Sequence, residues 1–174
     1  GVEYYNSLLK NALNKKLNKP QEDTPPPLFY WGKSLIPMHY VSNSTDRFSF
    51  YTKIHNAKKR KDINEIKNEL KDRYGKIPKE TLSFIDLAEL SLLYKGSLVK
   101  NIKINKDSLV FKVPNNVAIG VEKLISRILS YESRCVVEKK FKEEKGFVSI
   151  VFFTKTGFLW YDELINCNSL FYKT

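Results

Sequence analysis

Residues 46–78, DRFSFYTKIHNAKKRKDINEIKNELKDRYGKIP, decide how this chain is read. The stretch predicts two helices joined by a basic elbow, the second closed by a helix stop. In the first, Phe50, Ile54 and Ala57 form an apolar row that Phe48 and Tyr51 widen, with Ser44 or Thr45 as the expected N-cap. The elbow is Lys58, Lys59, Arg60 and Lys61. A basic run after a helix C-terminus offsets the negative end of its dipole, so the run needs no nucleic-acid partner, although it permits one. In the second helix Ile63, Ile66, Leu70 and Tyr74 make the buried stripe. Gly75 fits a left-handed stop, and Pro78 blocks continuation.

The second helix also carries an acidic edge of Asp62, Glu65, Glu69 and Asp72. Asp62 and Glu65 match a D-x-x-E capping box and are expected to build the helix. Glu69 has an ordinary partner four residues on in Arg73, a pair worth about 0.3–0.5 kcal/mol on an exposed helix. Asp72 is different: it sits in the last turn, where a negative charge faces the negative end of the dipole, and it lies beside another carboxylate. Two explanations stand. Asp72 pairs with a lysine elsewhere in the fold, or Glu69 and Asp72 are presented to an arginine of another domain or protein.

Outward from this stretch, Val2–Leu17 reads as an amphipathic helix and 19–27, KPQEDTPPP, as a proline-rich connector. LFYWG at 28–32 is a short aromatic strand candidate, and LIPMHYV follows as an extended segment whose Pro37 suggests an edge or a turn. A central helix is expected from Pro78 to Tyr94, with Leu82 among its apolar positions, ending at Gly96. The period then changes. LVKNIKI and SLVFKV form a hairpin, and Pro114-Asn115-Asn116 opens a helix. CVVEKKF and GFVSIVFF pair around the turn EEKG, and GFLWYDELINCNSLF closes as a helix. The result is an α+β fold: N-terminal helices packed on a mainly antiparallel sheet, with strand–strand–helix–strand–strand–helix order in the second half. At 174 residues, with no repeat, the chain is expected to be a single domain over 1–174.

Composition narrows the function. With 42% apolar and 28% charged residues the chain is globular, and no run reaches the roughly 18 apolar residues of a membrane span. A cytoplasmic protein, or a piece of one, is expected. The net charge of +11 is concentrated early: residues 1–60 hold 10 Lys and Arg against 4 Asp and Glu, the rest 20 against 15. Catalytic and cofactor motifs are missing: no phosphate-binding glycine loop, no HExxH, no GxSxG, and two isolated histidines, His39 and His55. Cys135 and Cys167 have no metal-ligand spacing and are expected as buried reduced thiols. No enzyme, cofactor or metal is expected.

The ordered motifs Ile36-Pro37, Arg47, Tyr51 and Glu69-Leu70-Lys71-Asp72-Arg73-Tyr74-Gly75 with Pro78 resemble the C-terminal domain of the bacterial transcription-repair coupling factor, Mfd, as does the opening GVEYYNSLLKNAL. The likeness is close to about residue 95 and faint beyond. It implies a regulatory domain of a larger protein in nucleotide-excision repair. That protein is an ATP-driven DNA translocase acting on stalled RNA polymerase. The domain would be non-catalytic and autoinhibitory, packing on a UvrB-like module, masking the UvrA-binding surface and restraining the motor. Glu69 and Asp72 would face arginines of that module, with Arg73 structural. The rival reading is a basic nucleic-acid-binding module using Lys58, Lys59, Arg60 and Lys61, with Lys15, Lys16 and the LFYW segment.

Overall fold

The structure, a computed structural model, describes residues 24–173; the expected helix over Val2–Leu17 and most of the proline-rich connector lie outside them. In chain order the elements are β1 (Leu28–Tyr30), α1 (Ser44–Asn56), α2 (Arg60–Tyr74), α3 (Lys79–Leu93), β2 (Asn101–Ile104), β3 (Ser108–Pro114), α4 (Val121–Leu129), β4 (Val136–Glu144), β5 (Phe147–Thr154) and α5 (Trp160–Cys167), which runs into a 3-10 turn at Asn168–Phe171. The fold is α+β, as the sequence predicts. Two compact units divide it: residues 33–92 form a helical unit, while 25–32 and 93–173 form a sheet unit that contains β1.

The helical unit is built by the stretch at 46–78 and what it packs on. Phe50, Tyr51 and Ile54 of α1 are buried with Ile63, Ile66 and Leu70 of α2 and Phe84 and Ile85 of α3. Rings lock the cluster: Tyr51 meets Phe84 edge-on at 5.2 Å, and Phe50 meets Tyr74 at 5.9 Å. Phe48 points out, 47% exposed, and Leu82 is 36% exposed, so neither serves the core as expected. At both positions the helical periodicity marks a flank that is left partly open to solvent.

The segment before α1 turns at Pro37, one of the two readings that proline allows, and the Pro37 carbonyl accepts from the amides of Tyr40 and Val41. Side chains from the helices fasten it. The Ile36 amide donates to the Tyr51 hydroxyl at 2.8 Å, and the Arg47 guanidinium donates to the carbonyls of Val41 and Ser42, both at 2.8 Å. Tyr40 Oη donates to the Gly75 carbonyl at 2.8 Å and to that of Leu70 at 3.2 Å, tying the turn to the end of α2. Gly75 has φ 82° and ψ −156°, a region that is essentially glycine-only, which fixes glycine as the stop.

The sheet unit has strand order β1-β2-β3-β5-β4, parallel only between β1 and β2. The alternation in β3 buries Leu109, Phe111 and Val113, matched on β5 by Val148, Ile150 and Phe152. Leu124 and Ile128 of α4, Leu164 and Cys167 of α5, and Phe171 are buried with them. Phe111 stacks on Phe171 at 4.5 Å and meets Phe152 at 5.1 Å. The helix expected from Pro114 begins only at Val121: residues 115–120 turn first, and Gly120, at φ 82°, precedes the helix. The charged turn is shorter than expected, because Glu143 and Glu144 stay in β4 and only Lys145-Gly146 turn the chain.

Candidate functional site

The acidic edge lies on α2, and the start of that helix revises it. Asn43, not Ser44 or Thr45, caps α1, its Oδ1 accepting from the Asp46 amide at 3.0 Å. Helix α1 ends at Asn56, only Ala57, Lys58 and Lys59 link it to α2, and Arg60 is already helical. The basic run therefore straddles the start of α2 instead of flanking the C-terminus of α1 alone. Asp62 falls at the third helical position, where its Oδ2 accepts from the amides of Lys58 at 2.9 Å and Lys59 at 3.1 Å. Those two backbone bonds hold the Asp62 carboxyl below the usual carboxylate range. Its capping role stands, one turn earlier than the D-x-x-E pattern implies.

Glu65 is thereby released. It is exposed, and among the described residues it makes no hydrogen bond or ion pair. The capping signal had hidden it.

Glu69 and Asp72 differ sharply. Both Glu69 oxygens accept from Lys53 Nζ at 3.2 Å, and Oε1 also accepts from Arg73 Nη1 at 3.3 Å. Arg73 Nη2 lies 3.6 Å from Asp46, and its guanidinium sits 5.5 Å from the Phe50 ring and 5.1 Å from the Tyr74 ring. Arg73 is thus a structural clasp between α1 and α2. Asp72 is exposed, with no hydrogen bond or ion pair among the described residues. Among the described residues a lysine from elsewhere in the fold, Lys53, pairs with Glu69, and none pairs with Asp72. The pairs around Glu69 are over a third exposed, so each is worth only about 0–1 kcal/mol and opens readily.

Of the four basic elbow residues, Arg60 is committed elsewhere. Its Nε and Nη2 reach Glu89 Oε1 at 2.9 and 2.8 Å, and Glu89 is 4% exposed on α3. Lys58, Lys59 and Lys61 are exposed. His39 and His55 are exposed too, and no cluster of metal-ligating side chains occurs among the described residues. No described helix is long and apolar enough to cross a membrane.

The sheet unit holds a polar nest that the sequence did not reveal. Glu163, 3% exposed on α5, accepts from Tyr131 Oη at 2.7 Å, Ser133 Oγ at 2.8 Å and Cys135 Sγ at 3.1 Å. Its donors come from one loop, 131–135, with no motif spacing to betray them. Burial pushes up the thiols of Cys135 and Cys167, so both are protonated at neutral pH and poor nucleophiles. Cys167 is buried as expected, and Cys135 is half-buried. The nest fastens a loop to a helix; it has none of the activation a catalytic thiol needs.

The sequence profile of the TRCF domain matches residues 32–124, more than half of the chain. The chain belongs to this family. Transcription-repair-coupling factors of Borreliella burgdorferi and Buchnera aphidicola are 27% identical over 146 residues and 32% identical over 136 residues, covering 82% and 72% of this chain. The chain spans only 13% and 16% of the length of those two relatives. A crystal structure of the C-terminal domain of transcription-repair coupling factor superposes with a TM-score of 0.66 at 16% identity, covering 86% of this chain and 91% of that one. This likeness supports the α+β fold over most of the chain, and the TRCF match itself runs past residue 95 to residue 124. Within that match, the motif residues Ile36, Pro37, Arg47, Tyr51, Leu70 and Gly75 singled out in the sequence all serve the scaffold described above. Of the motif's charged residues, Lys71, Asp72 and Arg73 are exposed and Glu69 is partly buried; Asp72 alone of the two carboxylates makes no hydrogen bond or ion pair among the described residues.

Proposed function

We infer that this chain is the regulatory, non-catalytic domain of a coupling factor acting in nucleotide-excision repair. It holds a UvrB-like module of the same protein through the carboxylate edge of α2, so that UvrA binding is masked and the DNA translocase that acts on stalled RNA polymerase is restrained. The carrying observation is Asp72, a solvated carboxylate at the unfavourable end of a helix dipole with no hydrogen bond or ion pair among the described residues. A structural carboxylate would be placed elsewhere or paired; one awaiting an arginine would be left open. Glu69 lies one turn away and can exchange its weak clasp for a partner's guanidinium, and Glu65 extends the same edge by a further turn. The single domain over 1–174 and a cytoplasmic location belong to this reading.

The test is charge reversal in the full-length protein. Asp72→Arg is expected to expose UvrA binding and to raise basal ATPase activity several-fold, and Glu69→Arg with Asp72→Arg to do so further. The Glu69 change alone is expected to have the smaller effect, because Lys53 and Arg73 already offset its charge. Unchanged UvrA binding and ATPase in the double variant would remove the edge from the inhibitory contact.

A further inference from the structure

The sheet unit carries 14 Lys and Arg against 8 Asp and Glu over residues 25–32 and 93–173, a net +6. Its sheet has two unlike faces. The inner face is the aromatic and aliphatic core; the strand register fixes the outer one. Phe29, Lys103, Val110, Val151 and Lys140 stand opposite one another across all five strands. Such a row spans about 19 Å at the usual strand spacing. Beside it the register sets Phe153 against Glu138 in one neighbouring row and Lys112 against Ser149 and Lys142 in the other.

This face is not closed off. Phe29 is 40% and Phe153 36% exposed, and Lys103, Lys140 and Lys142 are exposed. Lysine ammoniums already hover over rings: Lys112 over Phe147 at 4.6 Å and Lys140 over Phe153 at 5.5 Å. Glu138 and Glu144 are each engaged with a lysine, at 3.8 and 3.7 Å. Lys103 and Lys142 have no ion pair among the described residues.

We propose that this outer sheet face is a binding platform for single-stranded nucleic acid. Open rings interleaved with unpaired lysines provide a surface on which bases stack while ammoniums meet phosphates. A row of five strands, about 19 Å across, is wider than the roughly 12 Å major groove of an undistorted duplex, and stacking on its rings needs unstacked bases. A protein partner fits less well, because lysine is depleted from the cores of protein interfaces whereas here it sits in the central rows. The face belongs to the sheet unit and uses none of the α2 residues assigned to the regulatory contact.

The experiment is fluorescence anisotropy of the 174-residue chain with a labelled oligodeoxythymidylate of about 20 nucleotides at low salt. Binding is expected, weakening about tenfold or more when salt is raised about fourfold. Phe29→Ala with Phe153→Ala is expected to weaken it by about tenfold. Lys103→Gln with Lys142→Gln, which leaves every ring in place, should weaken it and flatten the salt dependence. Lys58→Gln with Lys59→Gln should leave affinity within about twofold, since those residues belong to the helical unit and not to the sheet unit. Thermal melting of each variant confirms that it folds. No binding at low salt, equal affinity for a duplex of the same length, loss only with the Lys58 and Lys59 changes, or capture of an acidic peptide without oligonucleotide affinity would each overturn the proposal.

Discussion

Arg60→Ala should destabilise the chain by about 2–4 kcal/mol, far more than any other change in the basic elbow. The reason lies on α3. Glu89 is 4% exposed, Arg60 is its ion-pair partner, and both guanidinium contacts fall on Oε1, leaving Oε2 without a hydrogen bond. Removing one partner of a buried pair costs about 3–5 kcal/mol because the other charge is stranded in low dielectric. The lower estimate here reflects the Arg60 side chain, 55% exposed and partly water-screened. The denaturant midpoint is the measurement. Lys59→Ala should stay within about 0.5 kcal/mol of the parent, and Glu89→Gln added to Arg60→Ala should recover part of the loss. Equal, small effects for Arg60→Ala and Lys59→Ala would mean that the ion pair does not support the fold. The elbow is thus a poor candidate for four equivalent nucleic-acid contacts, since one of the four is committed to Glu89.

Glu163→Ala is the second large effect, at about 2–4 kcal/mol. It orphans three donors at once: Tyr131 Oη, Ser133 Oγ and Cys135 Sγ. An unsatisfied buried hydroxyl costs about 1–3 kcal/mol. All three donors are only half-buried, so water recovers part of the loss. Glu163→Gln keeps one carbonyl acceptor and should cost roughly half as much. Burial, with the hydrogen bond to Glu163, pushes the Tyr131 hydroxyl well above the ordinary tyrosine range, so it remains a donor throughout neutral pH. Thermal unfolding of both variants checks the order, and a Gln variant as unstable as the Ala variant would contradict the shared-acceptor account.

Most of the fold was legible in the sequence because periodicity carried it. The switch from helical to alternating pattern after Gly96, the rows Leu109–Phe111–Val113 and Val148–Ile150–Phe152, and the stop at Gly75 each follow from a local rule. The helix starts were harder. SNSTD places several cap-competent side chains in succession, and nothing local selects Asn43. The link between α1 and α2 is so short that helix resumes within the basic run, which moves Asp62 from the cap to the third position and frees Glu65. Tertiary partners were out of reach as well. Lys53 and Glu69 are 16 residues apart, Arg60 and Glu89 are 29, and Ser133 and Glu163 are 30. Asp72 was identified by a conflict between its charge and its place on the helix, and the structure gives it no ion pair among the described residues.

The central claim is that Asp72 is open because its cation belongs to another module. Its most direct test is the affinity of the 174-residue chain for the isolated UvrB-like module, measured by calorimetry at low and at raised salt. Saturable binding is expected, weakening with salt, and Asp72→Arg should reduce it by at least about tenfold without altering the melting temperature, whereas Lys59→Gln should not. Wild-type binding that Asp72→Arg leaves intact, or no binding by the wild-type chain at low salt, would contradict the account.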